Sequence, residues 1–259
     1  MNRRVCVPLI LTIALYAKTL YWMVGSWIMN PYYSHGILVL AVSVFLLRRC
    51  GFEWNPSPKG IAVFAVSLLV HTIATYYSLY FLSAFSFPFA IYGVLRTFYS
   101  FDPFPILFLL FAVPYPVYSI TNVLETISAK ASVAIVGALG VEASSSGAEI
   151  VVGGNRFIVG APCSGIRSIV ALLTVASLYA YLVNSRRLVK FSIVLLSIPI
   201  ALLANVLRIS VILLVANFIG LDVAMGIVHY ASDLVLFAVA VLSLMGVRRC
   251  LDWTLGGTS

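Results

Sequence analysis

Three side chains of the kind that carry out acyl transfer stand at the borders or in the interior of apolar runs, where polar groups are costly. Cys163 lies in Ala161-Pro162-Cys163-Ser164-Gly165-Ile166-Arg167-Ser168, Arg208 in Asn205-Val206-Leu207-Arg208-Ile209, and His229 opens the last apolar run. A thiol, a guanidinium and an imidazole at one membrane depth supply a nucleophile, a stabiliser of negative charge and a proton carrier, which is what chemistry through a thioester requires. Each residue alone has a plainer reading. A lone cysteine is a small buried side chain, an arginine snorkels to headgroups, and an interfacial histidine makes structural hydrogen bonds. The case for chemistry rests on the set.

The neighbours sharpen it. Pro162 suits a first helical position and predicts Cys163 in the first turn of a helix, where unpaired amides and the helix dipole stabilise a thiolate. Gly165 removes a side chain near the thiol, which either admits a substrate backbone or serves helix packing. Arg167 is expected over the same face, as a thiolate stabiliser or as a snorkelling arginine. Arg208 interrupts the run Phe191 to Ile219, where it costs several kcal/mol unless it reaches water or a partner. Counting about 1.5 Å per residue from Lys190 puts it toward the outer half of the membrane. Asn205, one turn earlier, either holds the guanidinium or packs helices. Asp233 follows His229 by four residues, a spacing suited to orienting the imidazole and fixing its tautomer. His35, at the start of the second run, is either a support for the site or a packing residue, and His71 reads as structural. Cys6, Cys50 and Cys250 fall at cytoplasmic ends of the runs, as incidental or acylated cysteines.

These residues must be positioned by lipid-embedded helices. The 259-residue chain is 62% hydrophobic and 9% charged, with a mean hydropathy of +1.08, which excludes a water-covered globule. The apolar runs are Val5–Val24, His35–Leu47, Gly60–Phe81, Ser83–Phe101, Pro103–Ile120, Ser164–Val183, Phe191–Ile219 and Tyr230–Val247. They predict an all-α membrane protein of about eight transmembrane helices, forming one domain over residues 1–259. The formal charge of +8 falls as short basic pairs between runs, which marks cytoplasmic loops and not nucleic-acid binding. Eight crossings put Arg3/Arg4, Arg48/Arg49/Lys59, Arg186/Arg187/Lys190 and Arg248/Arg249 on one side, with both termini cytoplasmic and Cys163 outside. Between Ser83 and Ile120 the prolines allow kinks or a re-entrant segment in place of two full spans. The stretch Thr121 to Cys163 predicts an extracytoplasmic interfacial helix, a break at Ser144–Gly147, and a short β-hairpin around Gly153, Gly154 and Asn155 that delivers the chain to the cysteine. There is no nucleotide-binding glycine loop, and no cofactor or metal is expected.

The three stations resemble the motifs of the exosortase/archaeosortase family of membrane-embedded cysteine transpeptidases: Pro162-Cys163-Ser164-Gly165-Ile166-Arg167, Asn205-Val206-Leu207-Arg208-Ile209, and a histidine at the start of the final helix. Tyr33-Ser34-His35-Gly36 and Pro114-Tyr115-Pro116 extend the likeness over most of the chain. The resemblance implies cleavage of substrate proteins that carry a C-terminal tripartite signal: a motif, a transmembrane helix and a basic cluster. It implies Cys163 as nucleophile, Arg208 and His229 as its partners, and a lipid or cell-envelope amine as acceptor. Two other readings compete. A small secondary transporter would use Arg208, His229 and Asp233 in a proton or anion path, but no inverted-repeat hydropathy accompanies them. A serine-based intramembrane protease would need a Gly-x-Ser-x-Gly that the chain lacks.

Overall fold

The computed structural model describes residues 3–30, 32–116, 118–160 and 163–254. The chain divides into two compact units, Met1–Pro116 and Val117–Ser259.

The first unit opens on α1 (Arg3–Leu15) and α2 (Ala17–Met29), a pair bent by 65°. Tyr16 fills the break and is fully buried; its hydroxyl donates to Ser67 O at 3.1 Å and lies 2.9 Å from Ser86 Oγ. After α3 (His35–Arg49) and β1 (Glu53–Trp54), α4 (Pro58–Tyr76) and α5 (Tyr80–Phe98) pack as a helical hairpin. Their backbones approach closely because two glycines lack a Cβ. One added at Gly60 would fall 2.2 Å from Thr97 N, and one at Gly93 2.6 Å from Phe64 N. Small residues serve this purpose where lipid removes the hydrophobic drive for helices to associate. His71 on α4 bonds Ser83 Oγ through Nδ1 at 2.7 Å and stacks on Tyr16 with ring centroids 3.9 Å apart. β2 (Tyr99–Ser100) pairs with β1, and α6 (Phe104–Leu107) runs into a 3₁₀ turn over Phe108–Ala112.

The second unit begins with α7 (Tyr118–Ala138), followed by β3 (Ala143–Ser146), β4 (Glu149–Val152) and β5 (Asn155–Ile158) in an antiparallel sheet of order β3-β4-β5. β4 and β5 are joined through Gly153 and Gly154, with φ of +55° and +77°, left-handed values that glycine adopts without a Cβ penalty and that match the twist of paired strands. β3 occupies the stretch that the sequence marks only as a break. Then come α8 (Ile166–Leu182), α9 (Arg187–Phe218), α10 (Leu221–Val223), a π turn over Ala224–Val228, and α11 (His229–Thr254). Ile150 and Val152 pack the sheet onto Ala129 and Val136 of α7 and Ile209 and Leu213 of α9. Further along, Leu172 and Ala176 of α8 meet Ile193 and Ala201 of α9 and Ala240 and Leu244 of α11. α9 is therefore the element on which both clusters are built.

Among the described residues, four helices are long and apolar enough to cross a membrane: α4, α5, α9 and α11 from Ala231, with the bent α1–α2 pair a fifth if it counts as one span. The chain is a predominantly helical membrane protein, but the expected eight spans are not reached. α3 has 15 residues and α8 has 17, short of the roughly 20 that cross hydrocarbon. The run Pro103–Ile120 is no single helix: its prolines remove amide donors and push the residues before them out of helical geometry, leaving the four-residue α6 and the 3₁₀ turn.

Candidate active site

Cys163 follows the sheet and precedes α8, which begins only at Ile166. The expectation that it sits in the first turn of the α-helix is thereby corrected, although Cys163 itself has 3₁₀ geometry; Pro162, on which that expectation leaned, lies outside the described residues. The cause is Gly165, whose φ of +88° ends the loop in the left-handed region. Nor is Gly165 clear space for a substrate backbone, since a Cβ there would lie 3.0 Å from Asn205 Nδ2. The glycine lets Asn205 in. Asn205 Nδ2 donates to Cys163 O at 2.9 Å and to Ser128 Oγ at 3.2 Å, so it pins the thiol-bearing loop, a task neither of its sequence readings named. Cys163 N donates to Gly160 O at 2.8 Å.

Two serines of α7 complete this support and went unremarked in the sequence. Ser128 Oγ donates to Ser164 O at 3.5 Å, and Ser132 Oγ to Val206 O at 3.1 Å; both serines are fully buried. Their spacing of four places them on one helix face, and that was the available signal. A helix read as lying on the outer leaflet offered no reason to look for partners there.

Asp233 ties the charged residues together. Its Oδ1 accepts from Arg208 Nη1, and its Oδ2 accepts from Arg167 Nη2 at 2.8 Å. Asp233 thus holds two guanidinium groups from α8 and α9, a role that its spacing from His229 did not suggest. Arg167 accordingly reaches α11 and is no free snorkelling arginine. Arg208 is 3% exposed, and its Nε and Nη2, like Asn205 Oδ1, have no hydrogen-bond partner among the described residues. Leaving such groups unmet costs about 1–3 kcal/mol each, so the fold keeps donor capacity at Arg208 that it does not use. These groups border a void of about 20 Å³ lined also by Ser168, Ser232 and Asp233.

His229 opens α11 directly after the π turn, in which Gly226 departs from helical geometry (φ −85°, ψ −113°). Such turns shift the register of the residues that follow. His229 and Cys163 line one cavity of about 250 Å³, together with residues of β5, the end of α9, and Leu221 and Met225. Burial pushes the Cys163 thiol above its ordinary pKa; Arg208 opposes this, Asp233 adds to it, and Arg167 opposes it. The resting cysteine is therefore held toward the neutral thiol, with two cations near enough to favour the anion once it forms.

The structure brings Cys163, Arg167, Asn205, Arg208, His229 and Asp233 into the second unit. His35 belongs to the first, where its Nε2 lies 3.0 Å from Phe111 O. Among the described residues no three His, Cys, Asp or Glu side chains gather as a metal-binding group.

Residues 27–246 match the family model of the transmembrane exosortases. No curated protein and no solved structure matches the chain.

Proposed function

This chain belongs to the transmembrane exosortase family, a group of membrane sorting transpeptidases, and from that premise we propose that Cys163, His229 and Arg208 form its catalytic centre. The substrates are surface or exported proteins with a C-terminal motif, a transmembrane helix and a basic cluster. Cys163 Sγ attacks the carbonyl carbon near the motif, a C–S bond forms, and the C–N bond breaks. His229 takes the thiol proton and returns it to the leaving amine. A lipid or cell-envelope amine then attacks the thioester and releases the thiol. Arg208 stabilises the negative charge that forms, on the thiolate or on the oxyanion. Asp233, Arg167 and Asn205 position these groups, and His35 is given no catalytic part. The reading treats residues 1–259 as one transpeptidase domain.

The observation that carries it is the shared cavity: the thiol and the imidazole line one space, while Arg208 is near enough to act electrostatically on the thiol. A transport path through Arg208, His229 and Asp233 finds no such support, because both carboxylate oxygens of Asp233 are engaged by arginines. Basic residues of the same unit support an orientation. α9 starts at the basic pair Arg186/Arg187, α11 carries Arg248/Arg249 in its last turns, and Cys163 packs at the opposite end of α9. Positive-inside bias supports a cytoplasmic C-terminus and a site on the outer side, and Arg3/Arg4 support a cytoplasmic N-terminus by the same rule.

The test is mass spectrometry of surface-protein C-termini in cells carrying wild-type or Cys163→Ala protein. The variant is expected to insert normally and to accumulate full-length substrate, while wild type shows the cleavage point and the attached acceptor. Normal processing by Cys163→Ala would sink the mechanism.

A further inference from the structure

Apart from the thiol, the imidazole and Arg156, whose exposed side chain pairs with Glu149 at 3.4 Å, the cavity is lined by apolar side chains. Phe157 and Val159 line one side, Ile212 and Leu213 of α9 another, and Leu221 and Met225 a third. Cys163 itself packs against the cluster that includes Val159, Ile209 and Leu213. A reacting carbonyl must come within roughly 3–3.5 Å of the sulfur. The side chain one bond away, on the acyl side of the scissile bond, is then the substrate side chain nearest these walls, and the acyl-enzyme keeps it there until the acceptor arrives. At about 250 Å³ the space falls below the roughly 300–1,000 Å³ of pockets that enclose whole drug-sized ligands. It suits one side chain and the carbonyl beside it. A carboxylate set against the apolar walls would lose water, and Arg156, the guanidinium of the lining, is exposed and already paired with Glu149 at 3.4 Å.

Resting on the proposed function, we infer that this cavity is a specificity subsite for an uncharged aliphatic side chain on the acyl side of the cleaved bond. The residue chosen there is read by Phe157, Val159, Ile212, Leu221 and Met225, not by the arginine–aspartate cluster.

The experiment uses the full-length protein in nanodiscs and short peptidyl chloromethyl ketones that differ only in the residue next to the reactive carbon: leucine, glycine or aspartate. The thiolate displaces chloride to leave a thioether, and mass spectrometry gives the rate at Cys163. Each rate is divided by that of iodoacetamide, which carries no side chain and reports the thiol itself. Burying an aliphatic side chain predicts a leucine-to-glycine ratio of at least about tenfold, with aspartate slower than glycine. Met225 and Leu221 are 51% and 42% exposed, so either position admits a larger residue without disturbing the core. Met225→Trp should narrow the cavity and lower the leucine-to-glycine ratio several-fold, and Leu221→Trp provides the same reading from another wall. Equal rates for leucine and glycine, faster labelling by aspartate, or a ratio unchanged in both tryptophan variants would overturn the subsite. Those results leave the transpeptidase reading standing, because that reading fails separately, when Cys163→Ala still processes substrate.

Discussion

The two ends of α11 each carry an arginine–aspartate cluster, and they differ in almost every respect that bears on function. At the C-terminal end Arg248 Nε donates to Asp252 Oδ2 at 3.2 Å, one turn away on the same helix. Ser185 Oγ donates to the same oxygen at 3.1 Å, and Tyr179 OH accepts from Arg248 at 3.4 Å. At the N-terminal end, about 28 Å away at 1.5 Å per residue, Asp233 draws its arginines from two other helices. The first is built on a local, partly exposed arginine–aspartate pair, whose members also bond Ser185 and Tyr179. The second is assembled by tertiary packing around an arginine that is 3% exposed and has two donor atoms without a partner among the described residues. A local pair of this kind anchors a helix end, whereas buried donors left over after folding remain available to a charge that appears during a reaction.

The comparison breaks most sharply at His229. His229→Ala should lower processing by about 10²–10⁴-fold, the usual worth of positioned acid–base help, measured as the rate of substrate cleavage in membranes with matched protein levels. Near-normal cleavage would move the proton transfer away from this end of α11.

Arg208→Lys keeps the charge but loses the planar fork that spans Asp233 and the unpaired positions. Turnover is expected to fall by roughly 10²–10³ while substrate still co-purifies. A lysine variant that processes normally would show that Arg208 supplies charge alone, as Arg248 could.

Asp233→Asn sharpens the contrast in two ways. It frees both guanidinium groups from their anchor, and a misplacement on the order of 1 Å at a reacting centre can cost about 10² in rate. It also removes the carboxylate that pushes the Cys163 pKa up, leaving Arg208 and Arg167 to pull it down. The raised thiol of the wild type predicts an alkylation rate that keeps climbing with pH past the ordinary cysteine range. In Asp233→Asn the midpoint of that profile should move to lower pH, and in Arg208→Ala to higher pH. A midpoint that stays put in both variants would detach the cluster from the thiol.

The smallest effect belongs to the other end. Arg248→Gln removes a partly exposed i,i+4 pair, worth up to about 1 kcal/mol, so cleavage should stay within about twofold of wild type and only the melting temperature should drop slightly. A large loss of cleavage there would erase the functional distinction between the two ends.

Much of this was legible in residue order, and the reasons are physical. Apolar content and the placement of basic pairs declare a membrane protein, because lipid tolerates few charges. Cys163, Arg208 and His229 are conspicuous because each is costly or reactive where it stands. Asp252 beside Arg248 is equally readable, since one helical turn brings them together whatever the rest of the chain does. The same spacing rule told only part of the story at His229 and Asp233. It correctly placed them one turn apart but had no means of knowing that arginines 66 and 25 residues distant would claim the carboxylate. Gly165 was likewise recognisable as a place for close approach, yet that Asn205 approaches, and not a substrate, depends on how α9 packs beside the loop. Span count was open where prolines cut an apolar run, as the sequence itself signalled between Ser83 and Ile120, since hydropathy sums over residues while a helix needs unbroken amide donors. The residue types thus determined the solvent of the fold and the chemistry within its reach; tertiary packing alone decided which side chains share a cavity, which counter-ion serves which arginine, and which donors are left without a partner, because those outcomes depend on distances between segments that sequence spacing does not encode.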